Sequence, residues 1–372
     1  MWNYYNPVEI IFGEKKFSSI ESILENKKYI IVTHPEDIFK QYSDPLNNSS
    51  NPPLMIMTDI QPNPDYLDIL SLLNSFSPIA TKVDHILAIG GGSVVDTAKA
   101  LAAFKGDQTL LTNFIRNNQK PHIFDPISII AVPTTSGTSS ELTCWATIWD
   151  KEKKKKFSLA HQSLYPIKAI IDPEIMLNKP RELTISTGLD ALSHSMESIW
   201  NINANPISAT HGIAGSKLII ENLPLLVEDL QNIKLRSNVA RACIHAGLAF
   251  SNTKTAIAHN ISYPITINHG VQHGIACSFS LPIVLRSMEG VNQEAESRLQ
   301  KIFNDTIDGS ALKLESMLRK LNVPLNLNEL QINKNEWDQI IDDAFMGERG
   351  KNFLGNIDNF NKAVKVSNFF NS

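Results

Sequence analysis

The chain has only 3 cysteines in 372 residues, Cys144, Cys243 and Cys277, and no two of them form a Cys-x-x-Cys pair. This excludes a disulfide framework or a thiolate zinc knuckle and suits reduced, buried thiols. Long hydrophobic runs are also missing. No apolar stretch approaches the roughly 20 residues of a membrane span. The net charge is only −4, so neither nucleic acid nor an anionic membrane surface is implied as a partner. The opening Met1-Trp2-Asn3-Tyr4-Tyr5-Asn6-Pro7 lacks the basic and apolar segments of a secretory leader. A cytoplasmic enzyme or binding protein is the expectation.

With 42% apolar residues, the chain has enough hydrophobic material for a real core, and its length predicts two domains. Four short apolar runs, 28–33, 54–58, 85–89 and 128–132, read as buried parallel strands, and 168–171 as one further strand. They alternate with stretches of helical spacing. After about residue 180 the pattern becomes long amphipathic helices, over 183–202, 206–231, 234–252 and 256–267, with Pro206, Pro224, Pro264 and Pro282 between or within them. The fold class predicted is therefore an α/β domain over 1–178, doubly wound with a mainly parallel sheet. An all-helical domain over 179–372 follows it. The run Asp150-Lys151-Glu152-Lys153-Lys154-Lys155-Lys156 reads as a turn between two strand-like segments.

Two clusters carry chemistry. In the first, the apolar run ending at Ile89 breaks into Gly90, Gly91, Gly92 and Ser93, then continues as a helix through Asp96 and Lys99. Glycines let the backbone approach a phosphate, and the helix start offers unpaired N–H donors. In the second, Asp190 and His194 lie four apart on one helical face, and His259 and His273 follow. One carboxylate and three imidazoles suit a divalent metal such as Fe²⁺ or Zn²⁺. A lone histidine would need no such role, and a hydrogen bond inside a helix bundle would also explain the Asp190–His194 pair taken alone.

These blocks, in this order, are similar to the iron-containing (group III) alcohol dehydrogenase family. The resemblance rests on Gly90-Gly91-Gly92-Ser93 with Asp96-Thr97-Ala98-Lys99, on Val132 through Thr143, and on Ile171-Asp172-Pro173. It also rests on Thr187 through His194 and the fourteen-residue step from His259 to His273. It implies that Thr134, Thr135, Thr138 and Thr143 line the adenosine and ribose, that Lys156 reaches the cofactor, and that Asn63 makes a further contact. It implies one metal, a small aldehyde or alcohol substrate and a homodimer. The metal would act as a Lewis acid on the substrate oxygen.

The chain departs from the family in two places. Where relatives place an aspartate after the first strand to hold the ribose, this chain has His34, which does not repel a 2′-phosphate. NAD(H) is still favoured over NADP(H), because no arginine stands nearby in sequence. Where relatives place a histidine four residues after the third ligand, this chain has Tyr263; His269 lies further on, and both are candidate proton relays. The late loop Met346-Gly347-Glu348-Arg349-Gly350-Lys351 suits anion recognition through Arg349 and Lys351. In this respect the chain resembles the phosphonoacetaldehyde and sulfoacetaldehyde reductase branch. Alternatives are a lyase resembling dehydroquinate synthase and a non-catalytic dehydrogenase-like binding protein. The aspartate with three histidines speaks against the first, the intact ligand set against the second.

Overall fold

The computed structural model describes residues 1–117, 119, 125–153 and 155–367. Lys154 of the lysine run lies outside the described residues. The chain forms two compact units. One comprises Pro7–Thr135 and Ser140–Met176. The other comprises Leu177 onward together with Met1–Asn6 and Ser136–Ser139.

Among the described residues the first unit contains eight strands: β1 (Glu9–Phe12), β2 (Tyr29–Thr33), β3 (Met55–Met57), β4 (His85–Gly90), β5 (Ser128–Pro133), β6 (Trp145–Asp150), β7 (Lys155–Ala160) and β8 (Lys168–Ile171). Six form a sheet in the order β1-β8-β5-β4-β2-β3, and every neighbouring pair is parallel. Ile30, Ile31, Val32, Ile86, Leu87, Ala88, Ile129 and Ile130 are buried, as strands covered on both faces require. β6 and β7 pair as an antiparallel hairpin around the lysine turn. From β2 the chain moves to β3 on one side, and from β4 to β5 on the other. The crevice at such a reversal, outside the carboxyl ends of β2 and β4, is where ligands bind in open α/β sheets. β1 is an edge strand that sequence reading did not anticipate. It has only three consecutive apolar residues, none fully buried, and owes its place to pairing with β8.

The second unit is helical. Its helices Arg181–Glu197, Pro206–Glu228, Ile233–Thr253 and Ile257–His269 follow the amphipathic stretches expected. Asn205 caps the second through a capping box with Ser208, and Pro206 occupies the first turn, where its missing N–H costs nothing. Further helices His273–Ser278, Lys334–Met346 and Ile357–Val366 close over a core that includes Trp200, Phe279, Trp337 and Phe360. The six N-terminal residues belong here because Tyr4 donates its hydroxyl to the Leu248 carbonyl and Tyr5 N–H to Asn252. No helix among the described residues is long and apolar enough to cross a membrane.

Candidate active site

In the sheet unit the parallel register aligns Thr33 with Ile89 and Gly90 with Pro133. The residues that follow, His34, Gly91 and Thr134, therefore lie at one edge. Gly91 precedes the Gly92–Phe104 helix, and no side chain caps that helix start. Its first amides are left for an anion. A Cβ on Gly91 would sit 3.2 Å from the Thr135 hydroxyl oxygen, so the two loops approach closely. Asn63 adopts a left-handed conformation, φ 56°, and its N–H donates to Ser93 Oγ at 3.2 Å. His34 is half-buried, with Nδ1 3.2 Å from the Ile60 carbonyl.

Asp96 and Thr143 are engaged inside the unit. Asp96 accepts from Ser140 Oγ at 2.6 Å and from Thr147 N–H at 2.8 Å. Burial pushes its pKa up, opposed by Lys99 and these hydrogen bonds. Thr143 Oγ1 accepts from the buried Lys99, which also donates to the Ser140 and Trp145 carbonyls. This network fixes the segment from Ser140 to Thr147 on the helix. Asp96 lies a turn inside the helix, beyond its open end. Lys156 lies on β7 opposite Trp149, with Nζ 5.7 Å from that ring, and is half-buried beside exposed Lys153 and Lys155. Thr134 is buried, and Thr138 is exposed in the Ser136–Ser139 segment that groups with the helical unit.

In the helical unit, four predicted ligands come together. Nε2 of His259 lies 3.4 Å from Asp190 Oδ1, and Nε2 of His194 and of His273 each lie 3.8 Å from it. Donors bound to one ion at about 2.1 Å stand about 3.4 Å apart in a tetrahedral shell. Asp190 Oδ1 and His259 Nε2 are buried without a hydrogen-bond partner, which is costly unless a ligand completes them. Burial would raise Asp190, but His194, His259 and His273 outweigh it and hold the carboxyl below its usual range. Burial pulls His194 down to about 3, against Asp190. Both groups are thus in their ligating forms at neutral pH. Burial also opposes charge on His259, yet Cys277, Glu197 and Asp190 outweigh it and raise the imidazole. A cation in this cage supplies the positive charge that environment favours.

Three supports of this cluster were not singled out in the sequence. Glu197 is fully buried; its Oε2 lies 2.6 Å from His259 Nδ1 and its Oε1 accepts the His259 N–H. This orients the ring and leaves Nε2 toward Asp190. Its sequence signal was its place three residues after His194, on the same helix. Phe250 stacks on His194 at 4.0 Å. Gly274 lets His273 approach: a Cβ there would lie 1.8 Å from the Ser186 carbonyl oxygen and 3.1 Å from Asp190 N.

Of the two relay candidates, Tyr263 reaches the cluster. Its ring stacks on His273 at 5.9 Å, and the Arg349 guanidinium lies 4.8 Å from its centroid. His269 does not. It pairs with Glu336 at 2.7 Å, about 15 Å of helix beyond His259. Arg349 is half-buried, and its Nη1 has no partner. Burial pulls its pKa down to about 10 against the pull of Glu197. Lys351 is exposed on the same loop. That loop is tied down: Asn260 donates to the Ala344 carbonyl and Asn352 to the Thr255 carbonyl.

A parallel sheet with a glycine turn at its switch point, plus a carboxylate–imidazole cage on helices, defines a dinucleotide-dependent oxidoreductase with a metal centre. Residues 7–173 match the model of iron-containing alcohol dehydrogenases, and residues 184–366 match that family's C-terminal model. The chain belongs to the iron-containing alcohol dehydrogenase family. It is 27% identical over 363 residues to the NAD-dependent methanol dehydrogenase of Bacillus methanolicus, covering 93% of each chain. It is 34% identical to the phosphonoacetaldehyde reductase of Streptomyces viridochromogenes over 212 residues, 56% of this chain and 54% of that one. The sulfoacetaldehyde reductase of Bifidobacterium kashiwanohense, solved in complex with NAD⁺, superposes with a TM-score of 0.89 at 25% identity, covering 99% and 100% of the two chains.

Proposed function

We propose that the protein reduces a small anionic aldehyde with NADH. Asp190, His194, His259 and His273 hold one divalent metal, Fe²⁺ or Zn²⁺. When bound, the metal supplies a Lewis acid for the substrate oxygen and the nicotinamide supplies hydride. The chain's own residues do the rest. The amides of Gly91, Gly92 and Ser93 bind the pyrophosphate, and Thr134, Thr135, Thr138, Asn63 and Lys156 line the remainder of the dinucleotide, with His34 beside the ribose. Asp96 and Thr143 hold those loops in place. Glu197 keeps the His259 tautomer that presents Nε2. Tyr263 passes a proton toward the product oxygen, since its ring lies against His273. Arg349 and, more weakly, Lys351 orient the substrate's anionic end.

The observation that carries the substrate class is the unpartnered Nη1 of Arg349, whose guanidinium stacks on a tyrosine that itself stacks on a ligand histidine. A buried guanidinium edge beside the reacting centre asks for a carboxylate, phosphonate or sulfonate. The names of two relatives, a phosphonoacetaldehyde and a sulfoacetaldehyde reductase, support the same class. The test compares NADH oxidation on a charged and a neutral aldehyde of equal size. Arg349→Ala should raise KM for the charged one by about tenfold to a hundredfold more than for the neutral one. Equal losses on both would remove the anion pocket and leave an alcohol dehydrogenase of unassigned substrate.

A further inference from the structure

Two buried cations of the helical unit, Lys179 and Arg236, take no part in the metal cage. Lys179 is 6% exposed and Arg236 0%. Lys179 donates from Nζ to Thr187 Oγ1 at 3.0 Å. Arg236 donates from Nη1 to Thr184 Oγ1 at 3.1 Å and from Nη2 to the Leu230 carbonyl at 2.9 Å. Thr184 and Thr187 lie three apart on one face of the Arg181–Glu197 helix, so both cations are held on one strip of that helix. Among the described residues neither cation pairs with a carboxylate. Glu182 and Asp229, acids on adjoining turns, are exposed. The helix start has no side-chain cap, which adds positive potential. Arg236 Nε is buried with no hydrogen-bond partner. Buried charge of one sign is costly unless something pairs with it. Burial, with Arg236 adding, pulls Lys179 down to about 7. Only Cys243, whose thiol lies 3.2 Å from Ser139 Oγ, opposes this.

From this arrangement we infer that the Lys179 ammonium and the Arg236 Nε–H form an internal binding site for one halide ion, chloride in the cell. Both Nη groups of Arg236 are engaged, so a single N–H remains. The fork that grips two oxygens of a carboxylate or phosphate is not on offer, and one N–H beside an ammonium suits a spherical monovalent anion. The ion would neutralise the pair and steady Thr187. The Ser136–Ser139 segment packs there: a Cβ on Gly137 would lie 2.7 Å from Thr187 Cβ. Binding needs the ammonium form, so above pH 7 the site takes up a proton with the anion. Chloride affinity should then fall about tenfold per pH unit.

Thermal melting of the full chain at constant ionic strength, with chloride replacing the bulky anion glutamate, tests this without reference to turnover. At pH 6 saturating chloride should raise the Tm of wild type by about 2–4 °C relative to Lys179→Met, which lacks the ammonium. The chloride midpoint should be about tenfold higher at pH 8. An equal response in the two proteins, or a midpoint that ignores pH, overturns the inference. If Lys179→Met does not fold, wild-type crystals grown in bromide decide. An anomalous peak between Lys179 Nζ and Arg236 Nε is expected, and its absence there refutes the site.

Discussion

Gly274→Ala is the sharpest single perturbation of the metal cage. A methyl group at this position would lie 1.8 Å from the carbonyl oxygen of Ser186 and 2.6 Å from its carbon. Both are backbone atoms of the Arg181–Glu197 helix, so no rotamer change relieves the clash. To reach even a tight contact, the His273–Ser278 helix must withdraw by about 1 Å or more. His273 leads that helix, and its Nε2 is already 3.8 Å from Asp190 Oδ1. Metal bonds tolerate only about 0.2 Å, so the variant should lose metal affinity by two orders of magnitude or so, and activity with it. Overpacking should cost a further 1–3 kcal/mol, roughly, in stability. Metal per chain after gel filtration, NADH-linked turnover and thermal melting are the three readouts. Gly270→Ala is the control. Gly270 has φ +68° with nothing within 4 Å of an added Cβ, so only about 1 kcal/mol of backbone strain is expected, and metal should be retained. A folded Gly274→Ala with full metal content and wild-type turnover would refute the claim that close helix approach builds the site.

Three further outcomes are expected. Gly92→Val should weaken NADH binding by about an order of magnitude, read by nicotinamide fluorescence, because a branched side chain at the open helix start occupies the phosphate's approach; unchanged affinity in a folded variant would place the phosphates elsewhere. His34→Asp should shift the ratio of kcat/KM for NADH over NADPH upward, since a carboxylate there accepts from the ribose and repels a 2′-phosphate; an unchanged ratio would mean that His34 does not face the ribose. Lys179→Met should raise Tm more at pH 6 than at pH 9: burial, with Arg236 adding, pulls Lys179 down to about 7, so between there and the ordinary lysine value the unfolded chain binds more protons and wild-type stability climbs with pH. A Tm gain independent of pH would show that the buried amine carries no titration cost.

What the sequence made legible follows from which interactions are local. The four inner strands were visible because continuous apolar runs such as Ile30-Ile31-Val32 suit nothing but a sheet covered on both faces. The Asp190 and His194 pair was visible because helix period alone puts them on one face. β1 escaped because an edge strand with one half-exposed face carries a weak pattern, and its partner β8 lies about 160 residues away in the chain. The same reason hid the supports of the metal cage. Glu197 matters only because His259, 62 residues later, turns its Nδ1 toward it. Gly274 matters only because Ser186 stands opposite. His269 shows the converse error. Sequence proximity to His273 suggested a relay, but Gly270 ends the helix between them in a left-handed turn, and His269 pairs with Glu336 instead. Tyr263, ten residues before His273, is the ring that stacks on it. In this site the ligands are written locally on helices. The groups that orient them, Glu197 and Phe250, are written only in the packing of those helices.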